Sequence, residues 1–332
     1  MTLPPLVRLL LWPFALLYGA VTRWRASLYS HGIFKQHALN PPVISVGNLT
    51  VGGTGKTPMV IWLAERFLAE GKRVGILSRG YKGHSGTSDE IELMKSRLQH
   101  RPQFAVGPNR YQLGKKLESS VDLFLLDDGF QHLQLARDVN ILLIDAAQPL
   151  AKQTMLPTGR LREPISAIAR ADLLVFTRTE TVPGTGAAVE KFNEYPIFSA
   201  ATHLLGFRCF RAGPELMPLD QLGRGPFYAF CGIGNPLAFF QDLKNWGVPL
   251  VSKCEFPDHH RYDQRDVAEL ESAARTRGAK ALLTTEKDAQ NLAGCAFSEL
   301  PLYIAVIDLV ISKEAAFLGL IREKLEAREF VA

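Results

Sequence analysis

The eight residues Thr50–Thr57, TVGGTGKT, constrain this chain more than any other stretch. They follow an apolar run, Val43–Gly47 (VISVG), and precede an apolar-periodic segment, Pro58 to Glu70, that reads as a helix. Strand, glycine-rich turn and helix in that order form the context of a phosphate-binding loop, in which backbone N–H groups and a helix N-terminus surround an anion. Thr50, Val51, Gly52, Gly53, Thr54, Gly55, Lys56 and Thr57 are the expected nucleotide cradle. Lys56 would place a point charge on the β- and γ-phosphates, and the Thr57 hydroxyl would reach magnesium. Thr50 stands where the GxxxxGK[ST] spacing normally has its first glycine. An ordinary glycine-rich turn is the plain alternative, and Gly-Lys-Thr at this junction weighs against it.

Further β-branched or aliphatic runs follow at Val74–Ser78, Val121–Asp128, Val139–Asp145 and Asp172–Thr177. Continuous apolar strands separated by helix-length segments imply a parallel sheet covered on both faces. The second of these runs ends on Asp127 and Asp128, the place where such a fold gathers ligands for magnesium; a turn or helix-cap role is the alternative. Around Ala200–Leu222 polar and apolar residues alternate, with Gly213-Pro214 in the middle, which reads as an extended hairpin between two lobes. Phe227–Gly234, Val248–Phe256, Lys280–Thr285 and Leu302–Ile307 then alternate with helical stretches and form a second, smaller α/β lobe. With 332 residues, 47% of them hydrophobic, the chain is long enough for two cores, and a disordered tail protein is excluded.

The net charge of +5 suits an anionic small molecule or a membrane surface at least as well as nucleic acid, and no Lys/Arg-rich run suggests a DNA-binding face. Cys209, Cys231, Cys254 and Cys295 include no CxxC pair, which indicates neither zinc nor a disulfide framework. Near the N-terminus, Leu6–Thr22 is apolar, broken by Arg8 and Pro13 and followed by Arg23, Trp24 and Arg25. It falls short of the ~20 residues of a bilayer span, and its basic residues mostly follow the run, unlike a secretory signal. Trp12, Phe14, Tyr18 and Trp24 with the flanking arginines suit a helix in the membrane interface; a helix docked on the protein's own core is the alternative.

Eight stretches, in order, resemble the motifs of one family, the tetraacyldisaccharide 4′-kinases of lipid A biosynthesis. They are VISVGNLTVGGTGKTP from Val43, LSRGYKG from Leu77, SDE at Ser88–Glu90, DDGFQH at Asp127–His132, LPTGRLREP at Leu156–Pro164, CGIGNP from Cys231, FPDHHRY from Phe256 and TTEKD from Thr284. Thr158 and Arg160 depart from the Ala and Pro more usual in that family. The resemblance implies an α/β fold: a P-loop NTPase-like core with a mostly parallel sheet, plus a smaller C-terminal α/β domain joined by a two-stranded linker. The expected division is 1–30 for a membrane-associated helix, 31–199 for the core, 200–224 for the linker and 225–332 for the C-terminal domain. It also implies transfer of the γ-phosphate of ATP, with Mg2+, to the 4′-hydroxyl of membrane-embedded tetraacyldisaccharide 1-phosphate, giving lipid IVA at the cytoplasmic face of the bacterial inner membrane. The membrane surface is then a partner, and neither nucleic acid nor an obligate protein partner is expected.

A sugar hydroxyl is a poor nucleophile, so a kinase gains by placing a carboxylate against its proton. By motif position Asp89 is the expected base; read without the resemblance, an Asx turn is as good a role for it. His259, preferred over the adjacent His260, and Arg162 join Asp89 and Lys56 as expected catalytic residues, and Glu90, Gln131, His132 and Glu163 match further active-site positions. Arg79, Asn109 and Arg110 are weaker candidates for phosphate or acceptor contacts. The rival functions are a membrane-associated P-loop ATPase acting as a switch or partner-binding protein, and a kinase acting on a soluble metabolite. A GTP-specific switch is disfavoured because no Asn-Lys-x-Asp occurs; in TTEKD, Lys287 and Asp288 are adjacent.

Overall fold

The apolar runs of the first 200 residues pair side by side in parallel. In this computed structural model, which describes residues 4–80, 88–179, 192–213, 215–223 and 225–329, they form β1 (Val43–Asn48), β2 (Val74–Ser78), β3 (Gln103–Val106), β4 (Leu123–Asp127), β5 (Val139–Asp145), β6 (Leu173–Thr177) and the start of β7 (Ile197–Cys209). Their order is β3-β2-β4-β1-β5-β6-β7. Every residue of β1, β2, β4, β5 and β6 is buried, as a sheet covered on both faces requires. The edge strand β3 was not anticipated, because its four residues, QFAV, are too few and too exposed to register as an apolar run.

Among the described residues the α-helices are α1 (Pro5–Ser30), α2 (Lys56–Ala69), α3 (Asp89–Arg97), α4 (Arg110–Leu117), α5 (Pro236–Asn245), α6 (Gln264–Thr276), α7 (Glu286–Asn291) and α8 (Glu314–Glu329). The chain divides into two compact units: unit 1 is Met1–Gly86, Arg97–Ala201 and Leu309–Ala332, and unit 2 is Thr87–Ser96 and Thr202–Asp308. This differs from a contiguous 31–199 core and 225–332 domain in two places. The C-terminal helix α8 packs in unit 1, where Phe317 is buried against Trp62 of α2 with ring centroids 5.9 Å apart. Lys324 and Arg328 of α8 pair there with Asp172 and Asp138 at 2.9 and 3.2 Å. Thr87–Ser96, expected in the core, belongs to unit 2.

In unit 2, β8 (Phe227–Cys231), β9 (Leu250–Glu255), β10 (Ala281–Thr285) and β11 (Leu302–Ile311) are parallel in the order β11-β10-β8-β9. One apolar layer gathers Phe227, Phe239, Phe240 and Leu243, and the other Phe230, Tyr262, Val267 and Leu270. The expected hairpin over 200–224 is a long strand, β7, and a return segment that meets it at one bridge, where Phe207 and Met217 exchange N–H···O bonds of 2.8 and 2.7 Å. Pro214, the expected turn residue, lies outside the described residues.

Helix α1 is longer than the apolar stretch that announces it, running 26 residues or about 39 Å at 1.5 Å per residue. Leu6, Leu9, Leu10, Trp12, Phe14, Leu17 and Trp24 are exposed, and only Ala15 and Gly19 are buried. Docking on the protein's own core therefore covers a small part of the helix.

Gly47 of β1 lies under the DDGFQH turn, and a Cβ there would come within 2.6 Å of the Phe130 Cβ and 2.7 Å of its backbone nitrogen. Gly47→Ala is expected to destabilise the protein by about 1–3 kcal/mol, read as a lowered Tm in thermal unfolding without nucleotide.

Candidate active site

The phosphate loop begins at the C-terminal end of β1 and closes into α2. Gly52 (φ 108°) and Gly55 (φ 86°) adopt left-handed conformations that only glycine takes without strain. Gly55 is the N-cap of α2, so Lys56 and Thr57 are its first two residues. The missing first glycine has a structural reason. Residues 49–51 run extended against 160–162: Thr50 bridges Leu161, the Val51 N–H donates to the Arg160 carbonyl at 2.8 Å, and the Arg162 N–H donates to the Leu49 carbonyl at 2.7 Å. A β-branched residue suits such a pairing. Arg160 also clamps the loop from outside, its Nε and Nη2 donating to the Val51 carbonyl at 3.0 and 2.7 Å and its Nη1 to Gln148 at 2.5 Å. Thr158, the other departure from the family pattern, donates to the Met155 carbonyl at 3.0 Å.

Asp128 follows β4 with φ 47° and gathers the cations of the site. Both terminal nitrogens of Arg162 donate to its carboxylate at 2.8 Å, and Lys56 Nζ lies 3.7 Å away. Arg162 also hydrogen-bonds the Asn48 side chain, to which Lys56 donates at 3.4 Å. Desolvation favours the neutral acid, but Arg162 and the charges of Lys56 and Arg110 outweigh it and hold the Asp128 carboxyl far below its usual range. Asp127 is buried and accepts from the Ser78 hydroxyl at 3.0 Å.

Among the described residues no three His, Cys, Asp or Glu side chains cluster as a metal cage. Magnesium does not need one, since it is usually held by one or two carboxylates together with phosphate oxygens and water. Thr57, Asp127 and Asp128 supply a hydroxyl and two carboxylates, a donor set that fits this ion.

Of the remaining unit 1 candidates, Gln131, Glu163 and His132 are each held by neighbouring groups. Gln131 donates to the Asn48 carbonyl at 2.9 Å, and Glu163 is committed to Arg170 at 2.5 Å, whose guanidinium lies over the Phe130 ring. Burial and the charges of Arg110, Arg137, Arg25 and Arg79 push His132 down to about 4, so at neutral pH it is an uncharged acceptor for Arg110 at 2.9 Å. Asn109 caps α4 through the Gln112 N–H at 3.1 Å, and Arg79 is exposed after β2. Tyr81, Lys82 and Gly83 of the LSRGYKG motif lie outside the described residues.

Asp89 and His259, expected in different domains, both belong to unit 2. Asp89 opens α3, and its nearly buried carboxylate accepts from His259 Nδ1 at 2.9 and 3.0 Å and from Asn291 Nδ2 at 3.3 Å. Of the histidine pair, His259 faces Asp89, whereas His260 pairs with Asp266 at 2.9 Å and stacks on Phe256. His259 takes φ 62°, with its N–H bonded to the Gly232 carbonyl at 3.0 Å. Burial pushes the Asp89 carboxyl up, but the His259 hydrogen bond and the Lys287 charge hold it below its usual range. The hydrogen bond to Asp89 raises His259 against the opposing effect of burial. Lys287 Nζ lies 3.1 Å from Asp258 and 3.8 Å from both Asp89 and Glu90. Asn48, Arg160, Lys287 and Asn291 were all missed as site residues. For the last two the available signal was their i, i+4 spacing on α7.

The family described as tetraacyldisaccharide-1-P 4′-kinase matches residues 7–326. The chain is similar to the tetraacyldisaccharide 4′-kinase of Geobacter metallireducens, 41% identical over 88% of this chain and 90% of that protein. It is similar also to that of Pelobacter propionicus, 38% identical over 96% and 92%. Among solved structures, LpxK from Aquifex aeolicus in complex with ATP gives a TM-score of 0.73 at 32% identity, covering 96% of this chain and 99% of that one.

Two outcomes follow from this geometry. Arg160→Ala should weaken ATP binding about tenfold by calorimetry, the loss of its charged hydrogen bonds to the loop carbonyl. The second concerns pH. His259 is raised, so its stabilising contribution is complete below its ordinary value of 6.5 and is lost as pH climbs through the folded value; Asp89 is lowered, so its contribution is present above 3.8 and lost on acidification. The coupling in a double-mutant cycle of Asp89→Asn and His259→Gln, measured by unfolding, should be largest between about pH 4 and 6.5 and shrink at higher pH.

Proposed function

The chain belongs to the tetraacyldisaccharide-1-P 4′-kinase family, and from that premise we propose that its two units divide the chemistry, unit 1 handling phosphate charge and unit 2 the proton. The reaction is transfer of the γ-phosphate of ATP to the 4′-hydroxyl of tetraacyldisaccharide 1-phosphate, an ATP- and magnesium-dependent step of lipid A biosynthesis that yields lipid IVA.

The glycine-rich backbone and Lys56 bind the phosphates, and Arg162, fixed by Asp128 and Asn48, offers its guanidinium to charge that spreads over the transferring group. Thr57 with Asp127 and Asp128 would hold magnesium, which supplies neutralisation of phosphate charge. As the bond from the 4′-oxygen to phosphorus forms and the bond to the β-phosphate oxygen breaks, Asp89 takes the hydroxyl proton and ADP leaves with the electron pair. His259 steadies the carboxylate through that change. The observation that carries this reading is the nearly buried Asp89 carboxylate on His259, an ionised acid with the geometry of a base and its orienting partner. A nucleotide switch would leave that pair no substrate hydroxyl to act on.

The acceptor stays in the bilayer, because each buried acyl CH2 contributes ~0.8 kcal/mol. Helix α1, with Leu6, Leu9, Trp12, Phe14 and Leu17 uncovered and Arg23 and Arg25 near its end, is the element suited to bring the enzyme to the cytoplasmic face of the inner membrane.

With Mg-ATP labelled at the γ-phosphate and tetraacyldisaccharide 1-phosphate in mixed micelles, label is expected in the lipid with wild type and lost, by about 10²-fold or more, with Lys56→Ala. Free phosphate without labelled lipid would contradict the kinase reading. Removing residues 1–25 should abolish pelleting with anionic vesicles and reduce turnover on lipid far more than ATP affinity; undiminished pelleting would contradict the role given to α1.

A further inference from the structure

Three motifs outside the phosphate loop converge on Asp89. The CGIGNP turn supplies the Gly232 carbonyl that holds the His259 N–H at 3.0 Å, and FPDHHRY supplies Asp258 and His259. TTEKD opens α7, whose start is pinned by Asp288. That carboxylate is fully buried and accepts from the Gly232 N–H at 2.8 Å, the Tyr262 hydroxyl at 2.8 Å and the Thr285 hydroxyl at 2.6 Å, while Thr285 caps the helix by accepting from the Asp288 N–H at 3.1 Å. Gly232 has little room to grow, because a Cβ there would meet the Pro257 carbonyl at 3.0 Å and the His260 Cβ at 3.1 Å.

With its first turn so fixed, α7 carries two side chains to Asp89 from residues four apart. Lys287 Nζ stands 3.8 Å from Asp89, 3.8 Å from Glu90 and 3.1 Å from Asp258, and Asn291 Nδ2 donates to Asp89 at 3.3 Å. We propose that Lys287 and Asn291 are positioning residues for the reaction, holding the Asp89 carboxylate ionised and turned toward His259. The inference rests on Asp89 being the proton acceptor. Its physical need is plain. Asp89, Glu90 and Asp258 form a group of three carboxylates whose cations among the described residues are Lys287 and, when protonated, His259. Without Lys287 the repulsion among them falls on the least solvated member, Asp89, which then protonates more readily or rotates away from the imidazole.

Among the described residues, the groups facing Asp89 are His259, Lys287, Asn291 and, from its own helix, Glu90, with Asp258 behind the two cations. Lys287→Met should therefore lower kcat at pH 7 by about tenfold while KM for ATP and for lipid stays within about twofold, and the acid limb of the kcat profile should move to higher pH. Lys287→Arg should bring that limb back. Asn291→Leu, which removes one hydrogen bond and no charge, should lower kcat by less and move the limb in the same direction by less; it also serves if Lys287→Met fails to fold, as judged by thermal unfolding. Wild-type kcat and pH profile in folded Lys287→Met, or in Asn291→Leu an undiminished kcat when the lysine variant does not fold, would overturn the proposal. A loss equal at all pH values and unrelieved by arginine would overturn it too. Asp89→Asn assayed alongside separates the two levels: if it is inactive while Lys287→Met is unaffected, only the positioning role fails, and if it keeps full turnover the base assignment falls and the positioning role with it.

Discussion

One carboxylate, that of Asp128, organises the phosphate end of unit 1. It accepts both arms of Arg162 and lies beside Lys56, and Arg162 reaches onward to Asn48, whose backbone carbonyl takes the Gln131 amide. The end of β1, the end of β4, the start of α2 and the LREP segment are thereby tied to one anion. Bidentate, charge-assisted contacts of this kind fix direction as well as distance. On the proposed reading, the cations for an incoming triphosphate are thus in place before it binds, and Gly52 and Gly55 give the loop the left-handed turns that such a cradle requires.

The proton-accepting role proposed for Asp89 in unit 2 sets a different problem. A carboxylate used as a base must be shielded enough to be directed yet ionised at neutral pH, and shielding alone would neutralise it. Asp89 is shielded, and His259, Lys287 and Asn291 supply the charge and hydrogen bonds that keep it an anion. The cost of that arrangement is visible in the left-handed backbone of His259, a conformation that a non-glycine residue keeps only where its surroundings impose it.

The parts of this architecture legible in the sequence are those written locally. Buried parallel strands are continuous apolar runs, so Val74–Ser78 and Val139–Asp145 could be bounded to the residue, and Gly-Lys-Thr marked the loop. What escaped depends on distant partners. β3 is an edge strand with little to bury, α8 joins unit 1 through Phe317 and three basic side chains, and the tolerance of Thr50 in place of glycine follows from its pairing with Leu161. Asp89 and His259 are 170 residues apart, and only resemblance to a family linked them before the fold did. In the sequence Lys287 reads only as part of the family stretch TTEKD and against a nucleotide-specificity motif, with no role of its own, since nothing in a helix of six residues announces which carboxylates its lysine will meet.

The central claim is that phosphate binding and proton acceptance are separable functions of separate units. The most direct test is to measure, on one preparation of Asp89→Asn, both its ATP affinity and its single-turnover transfer of γ-phosphate to the lipid at saturating Mg-ATP. The account predicts wild-type affinity for ATP with transfer slowed by about 10²–10⁴-fold. Transfer at the wild-type rate, or a loss of ATP affinity as large as the loss of transfer, would contradict it.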